Sequence, residues 1–273
     1  MILQNLHTHS TYCDGKNTIE EMVETAIEKG FSSIGFSSHS YMSFDAKLGL
    51  NPDDEESYFA DIRNQAEKHR GEIDVYAGLE FELYSDSKIS DGFDYVIGSC
   101  HYIEKDGELI IFDRGVDAVK NIIDTYFNGR GIDFAKYYYR NTITKLIDVY
   151  DFDIIGHFDI ITKHIETEKF FDVESKEYRD YALSALYDLS GKFKIFEVNT
   201  GAIARSGRTS PYPQDFILRE MKKLGCSVVV TSDCHRREYM DVHYKEAFQL
   251  IKECGFKEIM IFNGKEFEPC PVE

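Results

Sequence analysis

Residues 1–36 read MILQNLHTHSTYCDGKNTIEEMVETAIEKGFSSIGF, and this stretch decides the fold. Ile2 to Leu6 is a short apolar run suited to a buried strand. Thr18-Ile-Glu-Glu21 is a capping box that opens a helix, and Ile19, Met22, Val23, Ala26 and Ile27 then fall on one helical face. Gly30 supplies the stop, and FSSIGF (31–36) reads as a second strand. Strand, helix and strand in that order predict a βαβ unit. His7, His9 and Asp14 stand just past the end of its first strand.

The alternation continues outward from this unit. An acidic helix is expected from about Asp53 to His69, its Asp53-Asp54-Glu55-Glu56 run complementing the helix dipole. IDVYAGLEF (73–81) and DYVIGS (94–99) read as strands, followed by helices in 115–127 and 133–149. FDIIG (152–156), a helix over 174–190, KIFEVN (194–199), a helix over 213–224, and SVVVTSD (227–233) come next. A last helix (242–253) leads to EIMIF (258–262). Seven or eight such units predict a closed α/β barrel rather than an open sheet. HYIEKDGELIIF (101–112) breaks the rhythm, because Asp106-Gly107 between two β-prone runs predicts a hairpin projecting from the rim.

Composition agrees with one large core. The chain has 273 residues, 42% of them hydrophobic, with 20 Phe and 18 Tyr, and a (β/α) barrel commonly needs about 250 residues. No shift of composition or internal repeat marks a boundary, so residues 1–273 are expected to form a single domain. The net charge of −18 argues against a nucleic-acid partner, since phosphate backbones are bound by clustered Lys and Arg. Neither an export signal nor an apolar run long enough to span a membrane is present, which points to the cytoplasm. The six cysteines (13, 100, 226, 234, 254 and 270) form no C-x-x-C pair and are expected to be free thiols, with Cys13, Cys100 and Cys234 packing behind a site. Oligomeric state is not encoded in any of these features.

The chemistry lies at the strand ends. His7, His9 and Asp14 follow the first strand, His39 the second, Glu80 ends the third, His101 follows the fourth, His157 the fifth, and Asp233 with His235 the seventh. Six of the nine histidines fall just past a strand end. In a (β/α) barrel these ends open on one face, where active sites are built. A lone histidine there is usually a hydrogen-bonded rim residue, but six with three carboxylates form a metal-binding constellation. Nine ligands exceed the needs of one ion, so two or three ions must share them. Glu80, the only glutamate of the set, has two oxygens with which to bridge ions. Three carboxylates with three divalent cations leave about +3, or about +2 after a bridging hydroxide, close to the charge of a phosphate monoester with opposite sign.

These motifs resemble those of the PHP (polymerase and histidinol phosphatase) family: LHTHSTYCDG, FSSHS, GLEFE, GSCHYI, IGHFDI and TSDCH, in order over most of the chain. GSCHYI, IGHFDIITK and EVNTGAIAR are most similar to the histidinol-phosphate phosphatases of that superfamily. The resemblance implies a distorted TIM-like (β/α)7 barrel with three divalent ions of zinc, iron or manganese, cleaving L-histidinol phosphate in histidine biosynthesis. It implies that His7, His9, Glu80 and Asp233 hold one ion, Glu80, His101 and His157 a second, and Asp14, His39 and His235 a third. The chain departs from some members in having Cys13-Asp14-Gly15 without a neighbouring His, and in having Asn5 where Asp is frequent two residues before the H-x-H.

The expected reaction is in-line attack of a metal-bridging hydroxide on phosphorus, with Glu80, Asp233 and His235 as the catalytic residues. Asp233 and His235 are candidates for protonating the leaving alkoxide, beside the third ion. A phosphate dianion also calls for a forked cation. Arg205 in the loop after the sixth strand ranks first, then Lys163 and Arg208. Asn199 is expected to orient a ligand or substrate and Tyr102 to flank the imidazole. The competing readings are a PHP-type phosphoesterase acting on nucleotides or short oligonucleotides, which shares the metals, and a noncatalytic scaffold, from which loss of ligands would be expected.

Overall fold

The computed structural model describes residues 2–272. Its centre is a seven-stranded parallel sheet rolled into a distorted (β/α)7 barrel. β1 (Gln4–Thr8) is buried along its whole length, as a strand covered on both faces must be. α1 (Ile19–Glu28) starts on the expected capping box: Thr18 Oγ1 accepts from Glu21 N–H (3.2 Å), and Glu21 Oε2 accepts from Thr18 N–H (3.0 Å). It buries Ile19, Met22, Val23 and Ala26, while Ile27 lies only partly buried. β2 (Ser33–His39) pairs with β1, and α2 (Glu55–Lys68) leads to β3 (Asp74–Glu82). β4 (Tyr95–Ser99) follows directly.

The rim hairpin forms as expected from β5 (Tyr102–Lys105) and β6 (Glu108–Ile111), turning through Asp106 and Gly107. Both residues have positive φ (54° and 84°), as a two-residue turn of this kind requires. α3 (Val116–Tyr126) and α4 (Gly131–Asn141) complete the excursion. The helix expected over 133–149 is broken at Thr142 (φ −121°, ψ −76°), after which Ile143–Asp148 winds as a 3-10 helix. β7 is only Ile154–Ile155, shorter than expected, and α5 (Lys176–Lys192) returns the chain to β8 (Ile195–Asn199). A short α6 (Gly201–Ser206), absent from the sequence expectation, precedes α7 (Asp215–Lys223) and β9 (Ser227–Thr231).

Sheet order runs β1-β2-β3-β4-β7-β8-β9. The ring is drawn together between its ends: His9 N–H donates to Cys234 O (3.0 Å) and Cys234 N–H to His7 O (3.3 Å). Inside, Tyr95 fills the space above Gly35 and Gly78, where any Cβ would lie 2.2 Å from its ring or hydroxyl. Its hydroxyl donates to Leu6 O (2.5 Å). The last apolar run is not an eighth barrel strand. After α8 (Tyr244–Glu253), β10 (Glu258–Phe262) pairs antiparallel with β11 (Phe267–Pro271), which was not expected. Phe262, Met260 and Phe267 pack with Leu6, Tyr76, Tyr95 and Ile97 and close the N-terminal end of the barrel. Gln4 locks this plug by donating to Phe262 O and accepting from Phe262 N–H, each at 2.9 Å. Among the described residues no helix is long and apolar enough to cross a membrane, and all six cysteines are free.

Candidate metal centre

The C-terminal strand ends bring all nine expected ligands together. Register places His39 on β2 opposite Glu80 on β3, so two ligands stand side by side on adjacent strands. Glu80 is 1% exposed and surrounded by five imidazoles. Its Oε2 lies 2.8 Å from His39 Nδ1, 3.2 Å from His7 Nε2 and 3.5 Å from His9 Nε2. Its Oε1 lies 2.8 Å from His157 Nε2 and 3.4 Å from His101 Nε2. Asp233 Oδ1 is 3.2 Å from His9 Nε2 and 3.8 Å from His7 Nε2. Asp14 Oδ1 is 3.1 Å from His235 Nε2 and 3.7 Å from both His9 Nδ1 and His39 Nε2. Asp14 reaches inward because its loop folds tightly: a Cβ on Gly15 would meet the His9 carbonyl carbon and Ser10 N at 2.5 Å.

Four overlapping groups have donor atoms close enough to share an ion: His9, Asp14, His39 and His235; His7, His9 and Asp233; His7, Glu80 and His157; His39, Glu80 and His101. The grouping differs in detail from the one the family resemblance implies, since His39 adjoins Glu80 and His101 as well as Asp14. The nitrogen and oxygen donor set suits zinc, iron or manganese. Buried polar atoms are ordinarily paired, yet His7 Nε2, His9 Nε2, Asp14 Oδ1 and Glu80 Oε2 are buried here without a hydrogen-bond partner. Such atoms fit a cluster built to hold cations.

Carboxylates behind the ligands orient them. His7 Nδ1–H donates to Glu197 Oε1 (2.5 Å), which turns Nε2 toward Glu80 and Asp233. Glu197 also accepts from Thr231 Oγ1 (2.6 Å), His157 N–H (2.7 Å) and Asn199 Nδ2 (3.0 Å). Glu82 Oε2 accepts from His101 N–H (2.7 Å) and Nδ1–H (3.0 Å). Asn5, at the position where the family often has Asp, donates to Ser232 Oγ (2.7 Å) and accepts from His7 N–H (3.3 Å), holding the segments after β1 and β9 together. Sequence reasoning missed Glu197 and Glu82. Their signal was a charged residue inside an otherwise apolar strand, KIFEVN and GLEFE.

Charge in the cluster is strongly coupled. Burial opposes ionisation of Glu80, but His7, His39 and His101 outweigh it and hold its carboxyl well below the usual range. Asp233 is likewise held low against burial by Arg205, His7 and His9. Asp14 is held low against burial by His235 and His39. Burial would discharge His39, but Glu80 raises it to about 10. His7 is raised well above its ordinary value, Glu197 and Glu80 overcoming burial. His9 falls to about 3 through burial and the neighbouring His235 and His39.

A cavity of about 420 Å³ opens over this cluster, with Asp14, His39, His101, Asp233 and His235 in its lining. Of the expected substrate-binding residues, Arg205 and Lys163 line it. Arg205 grips Asp233 through Nη2 to Oδ2 (2.8 Å) and Nη1 to the backbone oxygen, and Lys163 pairs with Asp113 (2.9 Å). Arg208 does not line the cavity: its guanidinium is buried, donates to Thr162 O (2.8 Å) and Ser210 O (3.1 Å), and lies over Tyr212. Asn199 sits behind Asp233, donating to its Oδ2 (3.3 Å). Tyr102 donates to Asp45 (2.8 Å), its ring lies against Phe44, and it is not among the residues lining the cavity. Asp113, Lys16, Arg114 and Arg236, also in the lining, were not anticipated.

A parallel seven-stranded barrel with an H-x-H at the end of β1 and clustered histidines at the following strand ends defines a class, and the PHP domain pattern matches residues 5–201. The chain belongs to the PHP family. Within it, the chain is 24% identical to a probable histidinol-phosphatase of Schizosaccharomyces pombe, covering 95% of this chain and 90% of the relative. It is also 24% identical to the histidinol-phosphatase of Bacillus subtilis, covering 89% and 96%. Among solved structures, histidinol phosphate phosphatase from Lactococcus lactis, complexed with zinc, L-histidinol and phosphate, superposes with a TM-score of 0.69 at 19% identity, covering 97% of this chain and 98% of that one.

Proposed function

We propose that the protein is a divalent-metal-dependent phosphomonoesterase that hydrolyses L-histidinol phosphate to L-histidinol and phosphate. The observation that carries this reading is Glu80, buried among five imidazoles from four strand ends beneath a cation-lined cavity. The names of the relatives supply the substrate. Three ions of zinc, iron or manganese would be held by His7, His9, Glu80 and Asp233; by Glu80, His101 and His157; and by Asp14, His39 and His235. When bound, such ions activate water and neutralise charge on the phosphoryl oxygens.

The chain's own groups do the rest. Glu80 holds the imidazoles in one array, and Glu197 and Glu82 fix the tautomers of His7 and His101. Arg205 holds Asp233 ionised as a ligand, and His235, 3.5 Å from Asp233, passes the attacking water's proton to the leaving alkoxide as the phosphorus–oxygen bond breaks. Arg205 and Lys163 face the phosphate. A small-molecule substrate rather than nucleic acid accords with the net charge of −18. We place the activity in the cytoplasm, as the sequence leads us to expect, and take residues 1–273 as one catalytic domain.

Metal analysis of the purified protein, paired with phosphate release from L-histidinol phosphate, other monoesters and a phosphodiester, tests the reading. At least two ions per chain and release from histidinol phosphate are expected. Fewer than two ions under metal-replete conditions would sink the multinuclear site. Cleavage of the diester without histidinol phosphate would assign the protein to a nucleotide-directed phosphoesterase instead.

A further inference from the structure

The cations of the cavity fall into two kinds. Lys163, Arg205 and Arg114 are each paired to a carboxylate, Asp113, Asp233 and Asp45 respectively. Lys16 and Arg236 also line the cavity, are exposed, and have no side-chain hydrogen bond or ion pair among the described residues. Two hydrogen bonds stitch their loops together: Lys16 N–H donates to His235 O (2.8 Å), and Arg237 N–H to Asn17 Oδ1 (3.1 Å). The two free cations therefore adjoin the Asp14–His235 pair on the same side of the rim. In a chain of net charge −18, most of the surface repels a phosphate dianion. An ammonium and a guanidinium left unpaired among the described residues, at the cavity over the metal centre, reverse that repulsion locally.

We infer that Lys16 and Arg236 form an outer phosphate subsite that captures the dianionic group of the ester at the rim and passes it down to the metal centre. This rests on the phosphatase reading. Capture of this kind acts on encounter and initial binding, and the two side chains touch none of the reacting atoms. Neutralising them must alter kcat/KM and its dependence on salt while leaving kcat in place.

The test uses the metal-loaded enzyme with Lys16→Gln, Arg236→Gln and the double variant. A Lys120→Gln, Lys176→Gln pair removes the same charge from the outer helices as a control. At low ionic strength each single substitution is expected to lower kcat/KM about three- to tenfold, with kcat within about twofold. The double variant should show a flattened salt dependence and a raised inhibition constant for inorganic phosphate. Unchanged kcat/KM, salt dependence and phosphate inhibition in the double variant would overturn the subsite, as would an equal loss in the control pair. If the unsubstituted enzyme releases no phosphate from histidinol phosphate, the functional reading itself falls. Calorimetric binding of inorganic phosphate then judges the subsite separately: weaker binding by the double variant supports it and equal binding refutes it.

Discussion

Replacing Glu197 by Gln changes one atom of a fully buried side chain and leaves its volume almost untouched. Four donors converge on the native carboxylate: His7 Nδ1–H and Thr231 Oγ1 on one oxygen, His157 N–H and Asn199 Nδ2 on the other. An amide has one oxygen, so whichever way it turns, two buried donors face an NH2 group. Each buried donor left unpaired costs about 1–3 kcal/mol, or roughly 2–6 kcal/mol together. For a chain of this size that corresponds to a fall in Tm of roughly 3–11 °C in the metal-free protein. If the amide oxygen stays on His157, His7 loses the partner that points its Nε2 at Glu80 and Asp233, and metal affinity should fall about 10–100-fold. Calorimetric unfolding of the metal-free protein and competitive titration with a metal chelator measure the two effects. A Tm and metal affinity both equal to the parent's would refute the assignment of Glu197 as the group that orients His7.

Gly15→Ala forces the loop off the His9–Ser10 backbone, so Asp14 should withdraw; bound metal per chain should drop, and parental metal content would count against the close packing. Arg205→Ala should lower kcat as well as raise KM in steady-state assays, because Asp233 loses its ion pair along with the phosphate losing a cation; an effect on KM alone would remove Arg205 from the positioning of Asp233. Phe262→Ala should cost about 3–5 kcal/mol in denaturant unfolding with kcat unchanged, since the plug lies at the opposite end of the barrel from the site. His39, raised from 6.5 to about 10, adds stability to the metal-free fold that is fully present below about pH 6.5 and lost as pH rises through about 10. Near pH 8 His39 holds a proton that coordination must expel, and the upward shift of His7 acts in the same direction, so metal binding should release protons, read by titration in buffers of different ionisation enthalpy. Binding with no proton release would contradict those charge states.

Much of this site was legible because a barrel converts sequence position into spatial position. Strands recognised by their apolar runs carry His7, His39, Glu80, His157 and Asp233 to one face regardless of the distance between them along the chain. What periodicity does not encode is which polar side chains pair. Arg208 and Arg205 look alike in NTGAIARSGR, and only the packing of Thr162 and Tyr212 around one of them removes it from the cavity. Glu197 was overlooked because a carboxylate inside a strand registers as an interruption until its four donors are seen. The final apolar run, EIMIF, carries the same local signal as a barrel strand. Its fate depends on the following FEPCP segment, which offers it an antiparallel partner, and on Gln4, which ties it to the barrel floor.

The bonds between the His7–His9 segment and Cys234, and between Gln4 and Phe262, also have a consequence for time. A ribosome adds on the order of ten residues per second, so β1 emerges tens of seconds before the residues that pair with its free edge. During that interval its histidines have neither Asp233 nor His235 beside them. A complete set of ligands therefore exists only once nearly the whole barrel has been made, and metal capture is a late event in the life of each newly synthesised chain.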